Sequence, residues 1–314
     1  MSEIEYKRNE NIEYIEFKRL KEFENLTAFF TLKSNGIGFR NKAKSGLDDK
    51  VRRTSTKDLA KVLNDKLKEK FNKTTFNSDF IKSPEKDYIL KNIVQLNQEH
   101  TDRILNITTF EDVSNDTYNI NYLEKENVIE RYNGKHNLKA EPYDAVMTNL
   151  TGIATVITTA DCIPIMIYDP INNVISNVHS GWKGTVQEIG IKAINNMKKN
   201  YSSKPENLIF CLGPNIKKDL FLVNDDVKQI YENKFKEIIK HYEIITPTEF
   251  SNEKGRQYEI DNTLLYKILL KQVGLLDKNI IDSGICTVCS SNEFHSRRVE
   301  GTDYEVNASV MMLS

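Results

Sequence analysis

Three consecutive apolar runs constrain the fold of this chain more than any other feature. They span residues 152–158, 164–170 and 173–178, and only short turns separate them. Their residues are largely β-branched and the runs are continuous, whereas a half-exposed strand alternates apolar and polar residues. Continuous runs of this kind are typical of strands buried on both faces. We therefore predict neighbouring strands inside a layered protein.

The remaining patterns add helices and further strands. We predict strands at 26–32, 87–96, 144–149, 208–214, 280–282 and 308–313, and helices at 56–71, 185–197, 225–239 and 261–273. Residues 185–188 read as a capping box, Thr-Val-Gln-Glu. Strand clusters mixed with crossover helices indicate an α/β (α+β) protein, a single domain of layered mixed sheets flanked by helices. We expect a domain over 26–314, preceded by an N-terminal extension over 1–25.

Composition limits the classes of partner. The 44 Lys and Arg residues balance 45 Asp and Glu residues, which argues against a dedicated nucleic-acid surface. No apolar run reaches the length of about 18 residues that a membrane span needs. Because the first residues are charged and lack the apolar region of a signal peptide, we expect a cytoplasmic protein. Four cysteines in 314 residues are too few for a disulfide framework, so they should be thiols. The oligomeric state is not indicated.

A thiol and an imidazole follow two of the apolar runs. Cys162 comes at the end of Thr-Ala-Asp-Cys, and His179 begins His-Ser-Gly-Trp seventeen residues later. His100 is a third candidate upstream. Two histidines and one cysteine make a metal-ligand set that suits zinc or copper. Cys162 and His179 alone would instead make a nucleophile and its base. The pattern leaves both interpretations open.

Cationic residues predict a binding site for an anion. Arg297 and Arg298 are adjacent and could clamp a phosphate or carboxylate. Lys183 lies just before a predicted helix, whose free backbone N–H groups favour anions.

Cys286 and Cys289 form a single C-x-x-C pair. Without a second pair a zinc ribbon is excluded, and a redox pair stays open.

These residues together resemble a known family. The chain is similar to the YfiH or laccase-domain family, also described as multicopper polyphenol oxidases. The resemblance runs from about residue 26 to the C-terminus, and it rests on these segments: Thr-Ala-Asp-Cys-Ile-Pro at 159–164, His-Ser-Gly-Trp-Lys-Gly at 179–184, Gln-Glu-His at 98–100, Leu-Gly-Pro-Asn-Ile at 212–216 and Phe-His-Ser-Arg-Arg at 294–298.

The resemblance implies an α/β/β/α architecture related to a cysteine-hydrolase fold. It also implies a metal, zinc or possibly copper, held by His100, Cys162 and His179. The implied substrates are a purine nucleoside and phosphate, with phosphorolysis of adenosine, inosine or methylthioadenosine, or deamination of adenosine, as the reaction. Asp161 is the nearest candidate for moving protons, and Lys183, Arg297 and Arg298 are candidates for holding phosphate.

The chain departs from the family pattern on the anion-binding side. Ser180 and Lys183 replace the usual Ala and Arg, and Thr302 stands where the closing Gly-Arg pair has its Arg. Lysine keeps the charge but loses the bidentate geometry of arginine. Three alternatives therefore stay open: a Cys–His hydrolase that uses Cys162 and His179, a copper protein of the polyphenol oxidase type, and a non-catalytic binding or assembly factor.

Overall fold

The computed structural model describes most of the chain, and the ranges are 2–8, 12–33, 59, 62–63, 66, 92–109, 112, 119–122 and 142–314. Most of the helix predicted at 56–71 lies outside the described residues, although Leu59, Val62 and Leu63 are helical. Across those ranges, no helix has both the length and the apolar character needed to cross a membrane.

Seven strands form the first sheet, in the order β1-β2-β3-β16-β8-β4-β6. Its pairs are antiparallel except for β4 with β8, so the sheet is mixed. The strands are β1 (Ile4–Lys7), β2 (Tyr14–Phe17), β3 (Leu26–Thr31), β4 (Asn92–Gln95), β6 (Asn119–Tyr122), β8 (Ile153–Thr159) and β16 (Asn307–Leu313). The strands predicted at 26–32, 152–158 and 308–313 are thereby confirmed, as is the part of 87–96 that forms β4; residues 87–91 lie outside the described residues.

Six strands form the second sheet, in the order β15-β11-β9-β10-β7-β5. They are β5 (Ile104–Ile107), β7 (Ala145–Thr148), β9 (Ile163–Asp169), β10 (Val174–Ser180), β11 (Ile209–Leu212) and β15 (Ile280–Asp282). The β9–β10 hairpin pairs Ser180 with Ile163 and Val174 with Asp169. All seven residues of each of these two strands are buried, as their unbroken apolar character predicts.

The two sheets pack face to face. Phe30 and Met311 of the first sheet share a core with Met166 and Tyr168 of the second. Helices cover the outer face of the second sheet, while helical residues 59, 62 and 63 pack on the outer face of the first. The described residues therefore form four layers, helix, sheet, sheet and helix, which confirms the predicted class of layered mixed sheets flanked by helices. The relation to cysteine hydrolases stays a prediction.

Seven α-helices lie entirely within the described residues. They are α1 (Lys18–Lys21), α2 (Trp182–Val186), α3 (Ile189–Tyr201), α4 (Asp225–Lys234), α5 (Lys236–Ile239), α6 (Asn262–Gln272) and α7 (Arg297–Glu300). The predicted capping box at 185–188 is wrong. Thr185 lies inside α2, where its hydroxyl donates to the carbonyl of Gly181, and the residue before α3 is Glu188 in a left-handed conformation. Two short helices thus replace the single predicted one.

The sequence patterns did not indicate β5 and β6, nor the strands of two further segments. β1 and β2 lie at the edge of the first sheet, where β2 pairs with β3. A small third sheet joins β12 (Leu222–Val223), β13 (Ile245–Asn252) and β14 (Gly255–Ile260). Only two of the fourteen residues of β13 and β14 are buried, so the hairpin carries little of the apolar patterning that marks the central strands.

Candidate metal centre

Cys162 lies in the tight connection between β8 and β9. The preceding residue, Asp161, has a φ of 79°, a left-handed conformation that Asp tolerates better than most residues. Its carbonyl accepts a hydrogen bond of 3.0 Å from the backbone N–H of Ile216. The connection is therefore held in a sharp turn, and this turn places the Cys162 thiol at the end of the two buried strands.

His179 is buried on β10 and is oriented by Asp144. Its Nδ1 lies 2.7 Å from Oδ1 of Asp144, and its backbone N–H donates to the Asp144 carbonyl at 2.7 Å. The two residues meet because Asp144 immediately precedes β7, which pairs with β10. Because the Asp144 carboxylate is hydrogen-bonded to Nδ1, Nε2 is the ring atom that can bind a metal or act as a base.

His100 lies in a loop organised by the same carboxylate. The Asp144 oxygens accept hydrogen bonds from the backbone N–H groups of Glu99, His100 and Thr101, at 3.3, 3.1 and 2.6 Å. They also accept one from the Thr101 hydroxyl at 2.7 Å. His100 has a φ of 61°, and these bonds hold the loop in that left-handed turn. One buried carboxylate thus positions both histidines.

The three predicted ligands converge on one point. One side-chain ligand atom from each of His100, Cys162 and His179 lies within 4.8 Å of the other two. Cys162 Sγ is 3.7 Å from His100 Nε2, and the two imidazole centroids are 4.9 Å apart. Gly181 makes this approach possible, since a Cβ there would lie 2.4 Å from His100 Cδ2. We call these three residues the triad.

The electrostatics of the triad favour a thiolate. Burial works to raise the pKa of Cys162, but the positive charge on His179 and hydrogen bonds to both histidines lower it to about 6. Burial works to lower the pKa of His179, yet the neighbouring thiolate and Asp144 raise it to about 10. Without a metal the geometry therefore supports a thiolate–imidazolium pair.

The donor set of the triad fits a zinc ion. Zinc binds cysteine sulfur at about 2.3 Å and histidine nitrogen at about 2.0 Å, which puts tetrahedral ligand atoms roughly 3.5 Å apart. The distance of 3.7 Å between Cys162 Sγ and His100 Nε2 is close to that, and Asp144 supplies the carboxylate that commonly orients a metal-bound histidine. Three protein ligands leave a fourth position open, as in catalytic rather than structural zinc sites.

A pocket of about 320 Å³ opens beside the triad. Its lining includes His100 and Cys162, together with Arg297 and Arg298 of α7. Trp182 and Phe221 add aromatic surface. We call Arg297 and Arg298 the arginine side. The pocket therefore combines a metal-ligand set, cations and aromatic faces, and its size is at the lower end of the range for small-molecule sites.

The other predicted residues take different positions. Asp161 also lines the pocket, but its carboxylate already accepts from the Thr287 hydroxyl at 2.6 Å and from the Arg298 backbone N–H at 2.7 Å. Lys183 is exposed and its ammonium lies 5.7 Å from the Trp182 ring centroid, so the structure does not bring it among the lining residues. The roles suggested for both stay predictions.

Comparison with known proteins places the chain in a family. The sequence model of the family described as multi-copper polyphenol oxidoreductase laccase matches residues 81–314. The chain belongs to this laccase-domain family. The match contains the whole triad and both arginines, and the resemblance seen in the sequence is thereby confirmed.

Curated relatives of this laccase-domain chain carry nucleoside-enzyme names. It is 27% identical over 155 residues to the purine nucleoside phosphorylase YlmD of Bacillus subtilis, which is 49% of this chain and 53% of that protein. It is 28% identical over 158 residues to an adenosine deaminase from an unknown prokaryotic organism, which is 50% of this chain and 57% of that protein. The matches thus span about half the length of these relatives.

Solved structures confirm the laccase-domain fold. YlmD from Geobacillus stearothermophilus superposes with a TM-score of 0.70 at 19% identity, covering 98% of each chain. The hypothetical protein YfiH of Bacillus licheniformis gives 0.69 at 20% identity, covering 98% of this chain and 99% of the other. At these identities the likeness establishes the fold alone.

Sequence patterns missed the residues that orient the triad. In the sequence, Asp144 begins a predicted strand and Gly181 belongs to the His-Ser-Gly-Trp motif, and neither was predicted to orient the triad. The available signal was a carboxylate directly before a buried strand, because such a group must find hydrogen-bond partners at the strand end. Thr287, which donates to Asp161, had no such signal within its C-x-x-C segment.

Proposed function

We propose that this chain is a metal-dependent enzyme that acts on purine nucleosides, with phosphorolysis as its main reaction. The observation that carries the proposal is the convergence of His100, Cys162 and His179 beside a pocket that two arginines line. The names of the relatives supply the substrate class, and the donor set supports zinc as the metal. Bound there, zinc would act as a Lewis acid toward an oxygen in the fourth coordination position.

The pocket residues suit the two substrates of phosphorolysis. In this reaction a phosphate oxygen bonds to C1′ of the ribose while the bond from C1′ to the purine nitrogen breaks, and the base leaves with a proton. Arg297 and Arg298 would hold the phosphate through charge-assisted hydrogen bonds. Trp182 and Phe221 would cover the apolar faces of the base, and Asn262, which also lines the pocket, can donate to or accept from its polar edge.

The decisive experiment measures base release with and without phosphate. Purified protein of known zinc and copper content is incubated with adenosine, inosine or methylthioadenosine. We expect free base and ribose 1-phosphate in proportion to phosphate, with Cys162→Ala inactive and His241→Ala, at an exposed histidine, active. Ammonia release from adenosine without phosphate would mark a deaminase instead. Nucleoside binding without turnover of any substrate would refute an enzyme and favour a binding factor.

A metal-free Cys–His hydrolase is a second candidate. The pKa of Cys162 near 6 and that of His179 near 10 favour it, because a thiolate beside an imidazolium is the active form of a cysteine nucleophile. In this candidate, alkylation of Cys162 abolishes turnover while chelators leave it intact. In the metal-dependent enzyme, chelators abolish turnover and zinc restores it.

A further inference from the structure

Outside the triad, Cys286 and Cys289 form a pair of neighbouring thiols. They lie between β15 and α7, where the Ser290 backbone N–H donates to the Cys286 carbonyl at 2.9 Å and closes a single helix-like turn. Cys286 is half-buried and Cys289 is exposed. The Cys289 backbone N–H lies 3.4 Å from Cys286 Sγ, and the two thiols are also hydrogen-bonded to each other.

Hydrogen bonds shift the pKa values of the two thiols in opposite directions. Burial works to raise the pKa of Cys286, but hydrogen bonds from the backbone and thiol of Cys289 hold it below its usual value. The hydrogen bond to Cys286 raises the pKa of Cys289. C-x-x-C pairs of this kind readily exchange with disulfides, since the thiolate is the attacking species.

Thr287, one of the two residues between the cysteines, connects them to the pocket. Thr287 is buried, and its hydroxyl donates to Asp161 Oδ1 at 2.6 Å. Asp161 Oδ2 accepts from the backbone N–H of Arg298 at 2.7 Å, and the next residue in the chain is Cys162. A movement of Thr287 would therefore reach both the Cys162 turn and the start of α7 through one side chain.

Closing a disulfide would require such a movement. Residues three apart on a helical turn have Cβ atoms about 5–6 Å apart, whereas a disulfide needs about 4 Å. The turn must then contract by roughly 1–2 Å, and Thr287 lies inside it. A displacement of this size is at least as large as the range of donor–acceptor distances over which a hydrogen bond holds. The hydrogen bond from Thr287 to Asp161 would therefore weaken.

We propose that Cys286 and Cys289 form a reversible disulfide by exchange with small-molecule disulfides, and that its closure alters the hydrogen bonds of Asp161. The Cys286 thiolate attacks the external disulfide and releases one thiolate. The Cys289 thiol then attacks the mixed disulfide, loses its proton and releases the second thiol. The protein dithiol is oxidised to a disulfide, and the external disulfide is reduced to two thiols.

The first test measures disulfide formation independently of any nucleoside activity. The full chain carrying Cys162→Ser, which removes the other reactive thiol, is equilibrated in buffers with graded ratios of oxidised to reduced glutathione. Free thiols are then alkylated and mapped by mass spectrometry. We expect joint loss of alkylation at Cys286 and Cys289 with a linked peptide pair, reversed by dithiothreitol, while adding Cys289→Ser leaves a glutathione adduct on Cys286. Free thiols or adducts alone in the most oxidising buffer would overturn the proposal.

The second test follows the coupling to Asp161. In the same Cys162→Ser chain, backbone amide NMR signals of Asp161 and Arg298 are compared between the reduced and oxidised forms. We expect both signals to shift on oxidation, because the Arg298 N–H donates directly to the Asp161 carboxylate. In a chain that also carries Thr287→Val these shifts should largely disappear. Unchanged signals in a chain with a proven disulfide would refute the coupling.

Discussion

The two sides of the pocket are built in different ways. Cys162 and His179 stand at the ends of buried strands, and one buried carboxylate, Asp144, accepts hydrogen bonds from His179 and from the loop that carries His100. The arginine side stands on α7, a helix of four residues whose start is held by the Ser296 hydroxyl and by Asp161. The sheets thus fix the triad, while a few side-chain hydrogen bonds fix the arginines. Substitutions should therefore separate metal binding from anion binding.

The sharpest test of whether metal binding and anion binding can be separated adds one methyl group beside the triad, at Gly181. In Gly181→Ala the new Cβ would lie 2.4 Å from His100 Cδ2 and 3.1 Å from Cys162 Sγ. The backbone of Gly181, at φ −72° and ψ 176°, suits alanine, so only the contact is unfavourable. We expect zinc affinity to fall roughly 100-fold, the upper end for groups that orient ligands, measured by competition with a chelator.

Gly184→Ala is the matched control for this methyl group. Its Cβ would meet the Ile189 side chain at 3.3 Å, and that side chain can move slightly; the contact of this Cβ with the His179 backbone oxygen, at 3.7 Å, is an ordinary van der Waals contact. Zinc affinity should stay at the level of the unsubstituted protein. If Gly181→Ala also binds zinc with unchanged affinity, the triad is not the rigid unit that the structure indicates.

Replacement of Asp144 tests whether one carboxylate supports the whole triad. Asp144→Asn removes the charge that faces His179 and puts an amide N–H₂ group among backbone donors. We expect zinc affinity to fall about 10-fold to 100-fold, and the free energy of unfolding to fall by about 3 kcal/mol because a buried paired charge is lost. Zinc titration and urea unfolding measure the two effects.

Asp169 offers a control that separates the two effects. Asp169 is as buried as Asp144, but its carboxylate accepts from the backbone N–H groups of Ile171 and Asn172 in the β9–β10 turn. Asp169→Asn should lower stability and leave zinc affinity intact. Equal losses of zinc affinity in both variants would mean that general destabilisation, and not orientation of His179, explains the result for Asp144.

The central strands could be predicted from the sequence because burial on both faces leaves a strong signal. The runs at 152–158, 164–170 and 173–178 correspond to β8, β9 and β10 within two residues at either end. The edge strands β1 and β2 gave no such signal, since their segment is charged. The break between α2 and α3 was also missed, because it depends on the left-handed Glu188, a conformation that side-chain periodicity does not report.

The residues of the triad could be predicted by residue type, but the residues that hold them in place could not. A cysteine and a histidine at the ends of adjacent apolar runs indicate a site, since polar groups at strand ends face a common edge. Asp144 is 35 residues from His179 in the chain, and only the pairing of β7 with β10 brings them together. Likewise, Asp161 was adjacent to Cys162 in sequence, yet its partners Thr287 and Arg298 come from the far end of the chain.

Substitution of the arginine side should affect anion binding alone. Arg298 already donates to the Leu220 carbonyl at 2.7 Å, whereas Arg297 lies 5.8 Å from the Tyr304 ring, a contact that leaves its N–H groups able to bind an anion. We therefore expect Arg297→Met to raise the KM for phosphate roughly tenfold, as for loss of one charge-assisted hydrogen bond, and Arg298→Met to raise it less. Zinc content of the purified variants should not change; a loss of zinc would contradict the separation of the two sides.

The smallest effect is expected at Glu300, which supports the end of α7. Its carboxylate accepts from Lys33 Nζ at 2.9 Å and lies 3.1 Å from Nδ1 of the buried His295. Burial works to raise the pKa of Glu300, but Lys33 and the other partners hold it below its usual value of 4.5. A lowered pKa means that the ionised form stabilises the fold above about pH 4.5, and that this contribution is lost as the pH falls through the folded-state pKa.

Glu300→Gln should therefore lower the free energy of unfolding by about 1 kcal/mol at pH 7 and by less below pH 4, measured by urea unfolding at both pH values. The KM for phosphate should rise only two- to threefold, because α7 is also held at other points and would move little when this contact is weakened. Glu237→Gln, at an exposed glutamate paired with Lys240, should change neither quantity. A stability difference that is equal at both pH values would show that the charge of Glu300 does not hold α7, and that the arginine side is anchored through Asp161 and Ser296 instead.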